Sequence, residues 1–245
     1  MMLLFCLSIL IGLSIGMLGM GGIFLTPVLI LTLDLPISVA MGTALITFIG
    51  TGLLGSYIYH RQGSINWPAA LLLGCASIIG ALFGSQLNLA LSQTWLEIIL
   101  AVFLAVMGIF TIFKDRLVAQ GMDWQLELEG RFGKLIFFTL GISVGLASGL
   151  LGVGGPVLLV PILIFLGWPM LVAVGVSQVV SVFAALAGTV GYLVNGRIEL
   201  LVAALALTGE LLGVFSGGYL AHRLDGKKLK LILGSALVGL SVYFV

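Results

Sequence analysis

The chain has 245 residues, 61% of them hydrophobic and 8% charged, and its ten lysines and arginines nearly cancel nine aspartates and glutamates to leave a net charge of +1. Soluble domains carry roughly 25% charged residues. A water-soluble core of this size could not hide so much apolar surface, so the composition excludes a soluble globular protein. The near-neutral balance also leaves no basic field for nucleic acid.

The N-terminal stretch "MMLLFCLSILIG" has neither a basic region nor a small-residue cleavage site, so it reads as a first membrane segment and not as a removed signal peptide. A spanning helix needs roughly 20 apolar residues. In chain order, eight hydrophobic segments are predicted at about 2–33, 36–60, 66–91, 94–113, 132–166, 168–194, 198–221 and 228–245. The breaks between them are short except for polar 114–131, "KDRLVAQGMDWQLELEGR", which divides the chain into a first repeat at 1–113 and a second at 132–245. Cys6 and Cys75 both lie inside apolar segments, where a structural disulfide is not expected.

The two halves match at one constant offset. Gly19 and Gly152 are 133 positions apart, and the same offset pairs Gly12 with Gly145, Gly16 with Gly149, Gly21 with Gly154 and Gly22 with Gly155. It continues through Pro36 and Pro169, Gly42 and Gly175, Gly55 and Gly188, and Tyr59 and Tyr192 to Gly84 and Gly217, without a gap over about 70 positions. The chain is a duplicated four-segment unit, and internal repeats mark secondary transporters.

Segments 2–33 and 132–166 are too long for one straight span: at roughly 1.5 Å per residue, more than 30 residues exceed a ~30 Å hydrocarbon core. Each carries a glycine cluster near its middle, "GMLGMGGIFLTP" at Gly16–Pro27 and "GLLGVGGPVLLVP" at Gly149–Pro161. Each is either a kinked spanning helix or two short helices meeting at a non-helical tip. If each crosses once, the ten cations divide six to four between the faces. If each folds back, Arg61, the cations of the central loop and the cluster at 223–230 share one face, nine of ten, with Arg197 opposite. The positive-inside rule prefers the second arrangement. It makes the halves inverted relative to each other and places both termini outside the cytoplasm.

These two G-x-G-G clusters, each followed by an apolar run and a proline and each opening one half of a small eight-segment chain, resemble the sulfite exporter TauE/SafE family. The likeness runs through "GMLGMGGIFLTP" with "LPISVAMGTAL" and "GLLGVGGPVLLVP" with "WPMLVAVGVSQ", and it covers essentially the whole chain. The resemblance implies a prokaryotic inner-membrane secondary transporter of small anions, typically sulfite, sulfonates or other sulfur and carboxylate compounds.

The residues themselves offer several candidate ligands. Glycines at Gly19, Gly21, Gly22, Gly152, Gly154 and Gly155 let backbone N–H groups of a broken helix face a midplane cavity, and the half-helices beginning near Ile23 and Pro156 would aim their positive ends there. The same glycines could instead serve only close helix packing. Walker and dinucleotide readings fail, because neither the Walker lysine nor a strand–turn–helix context is present. Two G-x-S-x-G matches, at Ser14 and Ser143, lack the His and acid partners a hydrolase needs, since His60 and His222 both lie near segment ends. Glu210 is the one carboxylate deep in an apolar segment and is a proton-coupling candidate; its repeat mate is Ser77. Ser177 and Gln178, with Ser181 nearby, replace the apolar Ala44, Leu45 and Phe48 of the first half and are read as ligand contacts. Thr43, Thr47 and Thr51 form one polar stripe that can line an anion path or tie helices together. Arg61 and Arg197, each ending the second helix of its half, are vestibule candidates for an anion clamp, or plain solvated charges. Tyr59, Tyr192, Trp67, Trp95 and Trp168 lie near segment ends, as interfacial aromatics do.

No His, Cys and carboxylate cluster suggests a metal, and no cofactor or enzymatic activity is expected. The expectation is an all-α transporter with two inverted halves, binding a small anion between its glycine tips and working by rocking of the halves, with Glu210 as the possible coupling group. A passive anion channel and a carrier of small carboxylates are the alternatives.

Overall fold

The computed structural model describes residues 1–19, 21–119, 130–220, 235 and 237–243. The expectations for the basic cluster at 223–230 and for most of the central loop lie outside these residues. Among those described there is no strand. The helices are α1 (Met2–Leu18), α2 (Leu25–Leu33), α3 (Ile37–Arg61), α4 (Trp67–Ala90), α5 (Gln93–Ala119), α6 (Arg131–Leu151), α7 (Pro156–Phe165), α8 (Met170–Val194) and α9 (Leu200–Leu220), with a 3-10 turn at Gly21–Phe24 and a last helical stretch at 237–243. Six of them, α3, α4, α5, α6, α8 and α9, are long and apolar enough to cross a membrane.

Proline and asparagine set the starts of several helices. Pro36 and Pro169, repeat mates, hold the extended ψ of 138° and 139° that precedes α3 and α8. Asn66 caps α4 by accepting the Ala69 N–H at 3.2 Å, with Pro68 in the first turn, where its missing donor costs nothing.

Both long apolar segments are broken at their glycine clusters. α1 ends at Gly19 (φ 73°) and α6 at Gly152 (φ 62°), in the left-handed region that glycine enters without strain. Gly152 is doubly constrained, because a Cβ there would collide with the backbone of Met41. Past the first break the chain turns back on itself. A Cβ on Gly21 would lie 2.5 Å from the Ile11 carbonyl oxygen and 2.7 Å from the Ile15 nitrogen, which only a reversal of direction allows.

Close contacts also give the direction of each helix. Along α1 and α9 they climb together: Gly12 lies on the backbone of Glu210, and Gly16 on that of Val214. Along α6 and α4 they do the same, with Gly145 on Ser77 and Gly149 on Ala81. These four contacts are two pairs related by the offset of 133. Along α3 and α8 they run in opposite senses, from Gly42 on Tyr192 to Gly55 on Gln178. α3 is parallel to α9, since Gly50 meets Leu207 and Gly218 meets Ile58. α8 is likewise parallel to α4, since Gly74 meets Phe183 and Gly191 meets Ser85.

The bundle therefore consists of two parallel sets, α1, α3 and α9 against α4, α6 and α8, which meet through the antiparallel pair α3 and α8. Each set draws its helices from both halves of the sequence. The expectation that the sequential halves form the two moving bodies does not fit this packing, because α1 is locked backbone to backbone on α9 and α6 on α4.

Candidate functional site

The two broken tips converge at the midpoint of the α3 and α8 pair. Gly22 from the first tip and Gly154 from the second both pack on the ring of Phe48 in α3, and Gly154 and Gly155 lie 3.3 and 3.4 Å from Ser181 in α8, measured from their Cβ positions. Phe48 and Ser181 are repeat mates, so the tips meet on the local symmetry axis. Between them lies a cavity of about 10 Å³, room for about one water molecule. The first tip contributes Gly19 and Gly22, with Ile15 of α1, and the second contributes Gly154, Pro156 and Val157. Phe48 and Thr51 line it from α3, Gln178 and Ser181 from α8.

Its chemistry is polar in an apolar frame. Gln178 is fully buried, its stem packed against Gly55, and its Nε2 has no hydrogen-bond partner. An unpaired buried amide is costly, and among the described residues this one has a free donor at the cavity. α7 begins at the cavity with no side-chain cap, so its first-turn N–H groups carry the positive end of the helix dipole.

The candidates from the sequence divide accordingly. Gly19, Gly22, Gly154 and Gln178 line the cavity. Gly21, Gly152 and Gly155 shape the tips around it. Ser177 points elsewhere and donates to the Ala173 carbonyl at 2.6 Å. Thr43 accepts the Glu199 N–H at 3.0 Å and so ties α3 to the start of α9. Thr47 donates to the Ala44 carbonyl at 2.9 Å. Arg61 and Arg197 are exposed at the ends of α3 and of the α8–α9 link. Ser14 and Ser143 donate to carbonyls one turn back, Leu10 and Thr139, each at 3.0 Å.

Glu210 is buried, and among the described residues the side-chain donor set against its carboxyl is the Thr47 hydroxyl. Thr47 stands beside it, one turn before Thr51, which reaches the cavity. The carboxyl thus lies one helical turn from the cavity along the threonine stripe.

Two tyrosines need correction. Tyr59 and Tyr192 are not interfacial but buried, 2% and 0% exposed. Their hydroxyls donate to the carbonyls of Gly16 at 3.1 Å and Gly149 at 2.7 Å, repeat mates in the last turns of α1 and α6. Asn88 adds a bond to the Leu150 carbonyl at 2.6 Å. A helix that stops inside a bilayer leaves carbonyls that water cannot reach, and these side chains satisfy them. Trp168 is buried as well, whereas Trp67 and Trp95 are exposed.

Phe48 was absent from the ligand set drawn from the sequence, Ser181 was named only as a neighbour of Gln178, and Thr51 only as part of the threonine stripe. Helical spacing was the available signal, since residue 181 shares a face with Gln178 while Ser177 does not, and the offset of 133 carries residue 181 to 48.

A broken-helix pair meeting at a small cavity that carries a few polar side chains is an architecture of membrane carriers. The profile of a family described as sulfite exporter TauE/SafE matches residues 4–244. The chain belongs to the sulfite exporter TauE/SafE family. This TauE/SafE protein is similar to the probable membrane transporter protein YdhB of Bacillus subtilis strain 168, 26% identical over 247 residues that cover 99% of this chain and all of the relative. It is also 26% identical to YunE of the same organism, over 96% of this chain and 94% of the relative. A probable membrane transporter protein of Xylella fastidiosa strain Temecula1 is 26% identical over 96% and 91%. No solved structure matches it at a significant level. As a TauE/SafE member with six helices able to span, it is an integral membrane transporter.

Proposed function

We propose that this protein is a secondary transporter of a small sulfur oxyanion, sulfite or an organosulfonate, that binds between the two glycine tips and moves by alternating access. The observation that carries this reading is the cavity between the tips, where the unpartnered Gln178 amide and the uncapped start of α7 offer donors and no fixed cation. Donors without a compensating charge suit an anion that must also leave.

In this reading the repeats at 1–113 and 132–245 are inverted, each with a re-entrant hairpin and three crossings. The antiparallel run of α3 and α8 supports it, and the positive-inside rule puts Arg61 in the cytoplasm with Arg197 and both termini outside. Those two arginines act at the vestibules. The cavity holds about one water, so in this reading the tips part to admit the anion. Rocking of the α1, α3, α9 set against the α4, α6, α8 set about the α3–α8 contact would open it to either face. Glu210 carries the coupling proton, since a buried carboxyl this close to the site is costly as an anion and can exchange its proton with the path along Thr47 and Thr51.

Flux of labelled sulfite and of a sulfonate into proteoliposomes, with and without an imposed pH gradient, tests this. Saturable uptake accelerated by the gradient is expected, and Glu210→Gln is expected to retain binding while losing the gradient dependence. Unsaturable flux would identify a channel. Uptake of carboxylates alone would move the substrate class. Normal coupling in Glu210→Gln would remove Glu210 from the mechanism.

A further inference from the structure

The central cavity is asymmetric in a way the repeat does not require. At the two-fold-related positions beside the tips, one half supplies Phe48 and the other Ser181, and both line the cavity. The Phe48 ring is buried, 3% exposed. It is wedged between the tips: a Cβ on Gly22 would strike the ring edge, and one on Gly154 would lie 3.1 Å from the ring. Both glycines leave the space that the ring takes. The other side chains lining the cavity are the polar Gln178, Ser181 and Thr51 and the smaller apolar Ile15, Pro156 and Val157. With the ring in place about 10 Å³ remains, about one water, so the tips must part for any anion and the ring is the largest side chain in the space they open.

We propose that Phe48 is the specificity-determining residue of the central site, its ring setting the upper size limit so that a bare sulfur oxyanion is accepted and sulfonates with longer carbon chains are refused. This rests on the reading of the cavity as the substrate site. The donors at Gln178 and Ser181 bind the oxygens that all these anions share, so they do not discriminate by size. The ring confronts whatever replaces the fourth substituent on sulfur. Ser181, the ring's mate, is far smaller, so the bulk at this pair of positions comes from residue 48 and a substitution there is the one that changes it.

The test is competition against labelled sulfite uptake in proteoliposomes of the full chain, using unlabelled methane-, ethane-, propane- and butanesulfonate. For the wild type, inhibition is expected to fall steeply with chain length. Phe48→Ala is expected to tighten propanesulfonate relative to sulfite about tenfold or more, the scale at which a pocket gains or loses a methylene, and to move the cut-off to longer chains. Phe48→Leu, which keeps most of the packing, is expected to fall between the two and serves if the alanine variant is not recovered folded. Ser181→Ala is expected to weaken all the anions together with an unchanged cut-off, which a size filter at 48 requires. An unchanged cut-off in folded Phe48→Ala and Phe48→Leu with sulfite uptake intact would overturn the assignment. Wild-type vesicles in which no sulfur oxyanion moves or competes would overturn the sulfur-oxyanion reading of the cavity, and the size filter with it.

Discussion

Gln178 and Tyr192 show two ways in which a polar group inside an apolar bundle is used. The first has a donor to spare beside the cavity, whereas the second has its hydroxyl committed to the Gly149 carbonyl at 2.7 Å. Replacing Gln178 by Leu, the residue the first half carries at Leu45, is expected to leave folding intact and to raise the KM for transported anion about tenfold or more, the worth of one good hydrogen bond; an unchanged KM would remove Gln178 from the site. Tyr192→Phe is expected to act on stability instead. It strands a buried carbonyl at a cost of about 1–3 kcal/mol, read as a lower midpoint of thermal unfolding in detergent with the KM of the surviving protein little changed. Residue identity alone did not separate these roles. Tyrosine near a segment end ordinarily belongs to the interface, and only the premature stop of α6 explains why this one turns inward.

Glycine governs the elements. Gly80 and Gly84 let α6 lie on α4, and their mates Gly213 and Gly217 let α1 lie on α9, each pressed against a facing backbone. Without hydrophobic drive between helices in lipid, such close approach supplies the packing energy. Gly84→Val and Gly217→Val are each expected to destabilise the protein by about 1–3 kcal/mol through overpacking, and by similar amounts because the two contacts are equivalent. Gly239→Ala, where nothing among the described residues lies within 4 Å, is the control and is expected to show no loss of stability in the same melting assay, since alanine in a helix interior is favoured over glycine. That these glycine pairs form helix-contact faces could be read from their spacing. Which helices they join could not, because a small-residue pattern names a face and not its partner.

Across the whole molecule, the two halves of the sequence are interleaved. α1 and α9 come from opposite ends of the chain yet form one tight parallel pair, and α4 and α6 form the other. Residues 1–113 expressed alone are therefore expected to yield no stable protein, since α1 lacks α9 and α4 lacks α6, and 132–245 should fare the same. Co-expressed, the two fragments are expected to co-purify as a complex that regains uptake. A stable, monodisperse single fragment would contradict the interleaved packing. The same arrangement bears on transport: a body that rocks must contain helices from both repeats, because separating the sequential halves would break the closest backbone contacts in the protein.

The sequence by itself determined the membrane class, the constant repeat offset of 133 and the interruption of both long segments at their glycine clusters, and it singled out Gln178 and Glu210 as polar groups inside apolar segments. Each of these follows from composition or from local backbone limits. A bilayer excludes charge, and a glycine run cannot hold a helix without outside support. Only the tertiary structure decided that the tips meet on Phe48 and Ser181, that Thr43 and Ser177 spend their hydroxyls on backbone groups, and that the halves exchange their outer helices. Those outcomes depend on which apolar faces pair, and in a chain whose surfaces are apolar all round, periodicity carries little information about the partner.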